Sequence, residues 1–137
     1  MEEQLKLWDI CVFNYLIGNT DNHIKNVSLL YASDMTSIRL APAYDIVCTM
    51  IYPSSTTEMA VSIGCEYDIH KIKRAHFCRE LKNIRIGEKL AMKHYDDMLS
   101  RIESALEESC ETLMQQGFIQ AKDMKERILE VRKPAWM

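Results

Sequence analysis

At 137 residues and 16.0 kDa the chain has the length of one domain, enough for a single hydrophobic core and too short for two well-packed ones. Hydrophobic residues make up 47% and charged residues 27%, close to globular averages, which excludes disordered and fibrous classes. With 17 Lys plus Arg against 20 Asp plus Glu, the formal charge is −3, so the basic footprint of a nucleic-acid binder is missing and no direct nucleic-acid partner is expected.

From Glu2 to about Gly18, apolar residues fall at Leu5, Trp8, Val12, Tyr15 and Leu16, the three-and-four spacing of one helical face. Glu2 and Glu3 suit the positive end of that helix, and Gly18 is a left-handed stop. Gly18-Asn19-Thr20-Asp21-Asn22 is dense in turn formers and reads as an exposed loop. Val27–Tyr31 and Ser37–Leu40 are β-favouring runs around Ala32–Thr36, a hairpin pattern that Pro42 closes. Cys48–Thr57 reads as a loop and Glu58–Ile63 as a short extended segment. A helix is expected from Lys73 to Leu81, with a break near Asn83. A long helix follows from about Ile86 to Gln116, with its stripe at Tyr95, Met98, Leu99, Ile102, Ala105, Leu106, Cys110 and Leu113. Gly117 ends it, and Ile119–Val131 forms a last amphipathic helix through Ile119, Met124, Ile128 and Val131, with Pro134 beyond. The whole reads as one mainly α unit over residues 1–137 with a small β-hairpin insert.

One region departs from what a helical domain needs. Asp21 and Asn26 have four residues between them, the spacing of a kinase catalytic loop in which the Asp receives a hydroxyl proton and the Asn binds Mg²⁺. Asp45 comes 19 residues later, just past the hairpin, which returns the chain to its start and allows Asp45 to lie beside Asn26. Two such oxygen donors plus phosphate oxygens suit a hard cation. On spacing alone the alternative is that Asp21 and Asn26 simply cap turns, the commonest use of these residues.

The wider run decides between the two. Phe13-Asn14-Tyr15-Leu16-Ile17-Gly18-Asn19-Thr20-Asp21-Asn22-His23-Ile24-Lys25-Asn26, followed by Leu40-Ala41-Pro42-Ala43-Tyr44-Asp45-Ile46, closely resembles the C-terminal kinase core of the HipA family, and Met59–Gly64 resembles a later step of it. The resemblance implies the helical C-lobe of a protein-kinase-like fold and an ATP-dependent serine/threonine protein kinase of toxin–antitoxin pairs. It implies Asp21 as catalytic base and Asn26 and Asp45 as ligands of Mg²⁺ and the ATP phosphates, with His23 and Lys25 shaping the site or neutralising phosphate. A protein substrate and a helix-turn-helix antitoxin are the implied partners. The chain starts one helix ahead of the loop, and no Gly-rich loop, strand lysine or αC-type glutamate precedes it. By itself this polypeptide is expected to lack efficient kinase activity.

Two rivals stand beside that reading. One is a non-catalytic lobe that serves as a protein-binding or regulatory module. The other is a metal site of Cys65, His70, His76 and Cys78, whose spacing has no close likeness to ordinary zinc patterns. The five cysteines are odd in number and widely spaced, and the acidic start lacks a secretory leader, so reduced thiols and a cytoplasmic location are expected. No membrane partner is expected, since no stretch of about 18 apolar residues occurs, and a monomer is expected because the stripe of the long helix serves the lobe's own core. Trp8 reads as core, Tyr44 as a packing residue that positions Asp45, and Trp136 is undecided.

Overall fold

In the computed structural model, which describes residues 1–137, four helices carry the fold and two small antiparallel sheets flank them. About half of the chain is helical, so the mainly α expectation holds. Helix α1 (Glu2–Ile17) buries Trp8, Val12, Tyr15 and Leu16, and Leu5 packs against them. Gly18 ends it at φ 83° and ψ 37°, and the amides of Gly18 and Asn19 turn back onto the carbonyls of Tyr15 and Asn14.

The core forms where α1 meets the short helix α2 (Arg74–Glu80) and the long helix α3 (Glu88–Gln115). Phe77 of α2 is its centre, with ring centroids 5.8 Å from Trp8, 5.1 Å from Tyr15 and 4.8 Å from Tyr95. The polar tips of these buried rings are satisfied: the Trp8 indole donates to the Ala91 carbonyl at 2.9 Å and the Tyr15 hydroxyl to the Ile72 carbonyl at 3.0 Å. Asp9 and His94 add an α1–α3 tie at 2.9 Å.

Strands β1 (Leu29–Tyr31) and β2 (Ile38–Leu40) form the expected hairpin, with Leu29 opposite Leu40 and Tyr31 opposite Ile38. The extended segment is β3 (Glu58–Ile63), and it pairs with β4 (Glu66–Asp68), a strand the residue pattern did not signal. Only three residues long, β4 has no room for alternation. Its signal is the turn, where Gly64 and Cys65 both take positive φ (56° and 67°), as a tight hairpin turn of the right twist requires. A Cβ on Gly64 would lie 2.4 Å from the His76 carbonyl oxygen, so glycine also admits α2 at close range.

The last helix differs from expectation. Helix α4 runs from Ala121 to Trp136, with Pro134 inside it instead of beyond it. Pro134 has no N–H to give the Glu130 carbonyl and so costs the helix one bond, and the residues beyond it are held by the indole bond of Trp136 to α1. Ile119 lies outside the helix and is 71% exposed; Ile128 and, unexpectedly, Arg132 are the buried residues of α4. The stripe of α3 is likewise only partly covered. Tyr95, Ile102 and Cys110 are buried, whereas Ala105 is exposed and so is every residue from Glu111 to Gln120. At 28 residues, or about 42 Å, α3 outreaches the body of the fold. No helix is long and apolar enough to cross a membrane.

Candidate functional site

The loop from Asn19 to Asn26 is launched by the end of α1 and held from below by buried amides. Asn19, 1% exposed, donates its Nδ2 to Asn14 Oδ1 at 2.6 Å, while Asn14 Nδ2 donates to the Ile10 carbonyl at 2.9 Å. Asn19 Oδ1 accepts the Asp21 amide at 3.2 Å, and the same side chain's Nδ2 lies 3.5 Å from the Asp45 carbonyl. One buried side chain thus touches both carboxylate-bearing segments. Thr20 is fixed from the other side: its amide donates to Thr49 Oγ1 at 2.9 Å, and its carbonyl accepts the Ala60 amide at 2.9 Å. The Thr49 hydroxyl donates in turn to the Gly18 carbonyl at 3.1 Å. The polypeptide then makes a single 3₁₀ turn over Ile24–Asn26 before β1.

Asp45 arrives from the far side of the hairpin with φ 56°, in the left-handed region that costs an ordinary L-residue about 1–2 kcal/mol. Asp tolerates that conformation better than most residues, and such outliers concentrate at functional sites. Two contacts hold its approach. The Tyr44 hydroxyl donates to the Lys25 carbonyl at 3.2 Å and so accepts from the Ser28 hydroxyl at 2.8 Å, pinning the residue before Asp45 to the loop. Glu3 of α1 accepts the Leu40 amide through its carboxylate, fixing β2. That hydrogen bond, then Lys6, holds the Glu3 carboxyl below the usual carboxylate range.

Asn26 and Asp45 line one cavity of about 230 Å³, together with His23 and Asn22. Its remaining wall is largely apolar, from Leu7, Ile10, Leu40 and Pro42 among others. The Asn26 amide and the Asp45 carboxylate enter no side-chain hydrogen bond or ion pair, so their oxygens are uncommitted. Asn22 Oδ1, at the same cavity, is the single buried side-chain polar atom without a partner. The uncommitted side-chain oxygens of Asn22, Asn26 and Asp45 are a set suited to a hard divalent cation, with the His23 imidazole beside them.

Asp21 is placed differently. It lines a neighbouring cavity of about 250 Å³ with Thr20, Thr56 and Glu58, and His23 is common to both cavities. His23 Nε2 lies 2.8 Å from Asp21 Oδ1, which orients the carboxylate at the boundary. The side chain of Lys25 is exposed and pairs with no carboxylate. The structure therefore gathers Asn26, Asp45 and His23 on one wall, with Asp21 reached through His23.

The cysteine–histidine reading finds no geometry to support it. No three His, Cys, Asp or Glu side chains gather at any point, and His76 Nδ1 accepts the Lys73 amide at 3.0 Å as part of the start of α2. Burial pushes the Cys11 thiol up to about 11, with Glu80 adding to it, which keeps this thiol protonated beside the cavity of Asn26 and Asp45.

Residues 1–110 match the family model of the HipA-like C-terminal domain. The chain belongs to this family. Two proteins of Sinorhizobium fredii (strain NBRC 101917 / NGR234) are similar to it. One, named "Putative kinase Y4mE", is 45% identical over 60 residues, which covers 44% of this chain and 14% of that protein. The other, named "Putative kinase Y4dM", is 28% identical over 96 residues, covering 70% of this chain and 23% of that protein. The chain thus spans less than a quarter of the length of the curated relatives it matches. All five candidate residues fall inside the span that matches the HipA-like model. Residues 111–137, which include α4, fall outside it.

Proposed function

We propose that this HipA-like chain is the catalytic lobe of an ATP-dependent protein serine/threonine kinase of the toxin–antitoxin kind, working together with a nucleotide-holding part. One observation carries the proposal: Asn26 and Asp45 line the same cavity with uncommitted oxygens, and Asp45 is held there in a left-handed conformation. The kinase names of the two relatives support it. Asn26 and Asp45 would hold Mg²⁺ against the ATP phosphates, and the ion would supply neutralisation of the transferring charge. Asp21 would accept the proton of the substrate hydroxyl, with His23 fixing the direction of its carboxylate. Lys25, free at the surface, would add positive charge near the phosphoryl group.

The hairpin supports the need for a further part. Leu29, Leu30, Tyr31 and Ile38 are each more than 40% exposed, so this two-stranded ribbon bears apolar side chains on uncovered surface. Such a ribbon is marginal in water without a partner surface. The same observation favours the second reading, a protein-binding module without catalysis. In the kinase reading the substrate is a protein; in either reading the chain works in the cytoplasm with a helix-turn-helix antitoxin as its expected regulator.

Titration of the ¹⁵N-labelled chain with Mn²⁺ separates the two readings. Kinase function requires paramagnetic broadening centred on Asn26 and Asp45, strengthened by ATP and abolished in Asp45→Ala. Diffuse broadening that ignores the substitution would leave the binding module. In a protein completed by its nucleotide-holding part, Asp21→Ala should lower phosphoryl transfer by roughly a hundredfold or more.

A further inference from the structure

Helix α1 ends without a basic residue in its last turn, although its carbonyls there carry the negative end of the helix dipole. The missing cation comes from α4. Arg132, 1% exposed, donates Nη2 to the Tyr15 carbonyl at 2.6 Å and Nε to the Leu16 carbonyl at 3.1 Å. Trp136, one turn further on, donates its indole N–H to the same Leu16 carbonyl at 2.9 Å. The guanidinium also stands 5.1 Å from the Tyr15 ring centroid, a cation–π distance. No carboxylate pairs with Arg132, so this buried charge is matched to the helix end instead of to an acid.

The grip continues directly into the loop. Gly18 follows the gripped carbonyls, and a Cβ there would meet Arg132 Cδ at 2.7 Å and Met50 Sδ at 3.2 Å. Arg132 Nη1 reaches Met50 Sδ at 3.7 Å, the Met50 amide donates to the Gly18 carbonyl at 3.3 Å, and the adjacent Thr49 holds both Gly18 and Thr20. From Thr20 the next residue is Asp21. Two routes, one along the end of α1 and one across the Thr49–Met50 turn, therefore run from one guanidinium to the start of the Asp21–Asn26 loop. Only a planar fork reaches two carbonyls at once in this way, which a lysine ammonium on its single stem does not reproduce.

We infer that Arg132, assisted by Trp136, is a positioning residue that sets the Asp21–Asn26 loop from a helix lying outside the HipA-like domain match. Its consequence for catalysis rests on the function proposed above; its consequence for loop order does not. The test is amide hydrogen exchange on the whole chain in Arg132→Met, Arg132→Lys and Trp136→Phe, with Lys133→Ala as control. Lys133 lies on the same helix and makes only an exposed ion pair, 2.6 Å from Glu103.

Exchange at Asn19 and Thr20 should quicken about tenfold or more in Arg132→Met, relative to Tyr95 in α3, because charged hydrogen bonds to the helix end are lost. Arg132→Lys should recover part of that protection, Trp136→Phe should show a smaller change of the same kind, and Lys133→Ala none. If Arg132→Met does not fold, Trp136→Phe and Arg132→Lys carry the test. Quickening by one common factor in every element would overturn the inference, since it marks general destabilisation; so would unchanged loop exchange. Mn²⁺ binding in the unsubstituted chain keeps the two claims apart. Loop loosening in a chain that binds no Mn²⁺ would uphold the positioning role and remove the kinase reading.

Discussion

The two halves of the site are built on opposite principles. Below, the Asn14–Asn19 pair, the Thr20–Thr49 pair and Arg132 form a largely buried polar layer whose hydrogen bonds close within each pair or on backbone carbonyls. Above, Asn26 and Asp45 present uncommitted oxygens to a cavity, on the two segments that flank a hairpin whose apolar residues are exposed. The difference separates support from ligation. Groups that hold the loop have spent their hydrogen-bonding capacity inside the protein, whereas groups that would bind a ligand have kept it.

The largest expected effect strikes the lower half. Asn19→Ala leaves Asn14 Oδ1 and the Asp21 amide without their partner and should cost about 3 kcal/mol by urea unfolding. A loss under about 1 kcal/mol would mean that the buried layer is not a support. Gly18→Ala comes next. Its positive φ and the approach to Arg132 Cδ should together cost about 2 kcal/mol, read in the same unfolding curves.

On the upper half the sign should reverse. Asp45→Gly relieves a left-handed backbone and should raise stability by up to about 1 kcal/mol while removing Mn²⁺ binding. A clear loss of stability would place Asp45 among the supports and erase the contrast. The smallest effect is a pH dependence at the join between the halves. The folded-state pKa of Glu3 lies below its ordinary value of 4.5, so its anchoring of Leu40 is complete above that value and fades as pH falls through the lower folded pKa. Protection of the Leu40 amide should follow that course in wild type and be insensitive to the same acidification in Glu3→Gln.

Helices α1 and α3 and the first hairpin were legible because their signals are local: a repeat of three and four, a left-handed glycine, two β-favouring runs around a turn. Strand β4 was not, since three residues leave no period and its partner is defined only by the Gly64–Cys65 turn. The end of α4 departs from the local signal because Pro134 is a stop only where tertiary contacts do not hold the residues that follow, and Trp136 holds them. The cover of α3 departs from its stripe for a related reason. An apolar stripe states what a helix could bury, and the length of α4 and its neighbours decides how much of it is buried.

At the site, the types and order of Asp21, His23, Lys25, Asn26 and Asp45 are a property of the sequence, and so is the HipA-like membership they carry. Chain geometry also made the approach of Asp45 to Asn26 foreseeable, because a hairpin must bring its ends together. The sequence could not reveal that Asn19 joins both segments, that Asp21 faces a different cavity from Asn26, or that Arg132 grips the end of α1 from 116 residues away. Those facts depend on which donors and acceptors are left over once the helices have formed. A helix satisfies its own backbone in the middle and leaves carbonyls free at its end, and only packing in three dimensions determines which distant side chain reaches them.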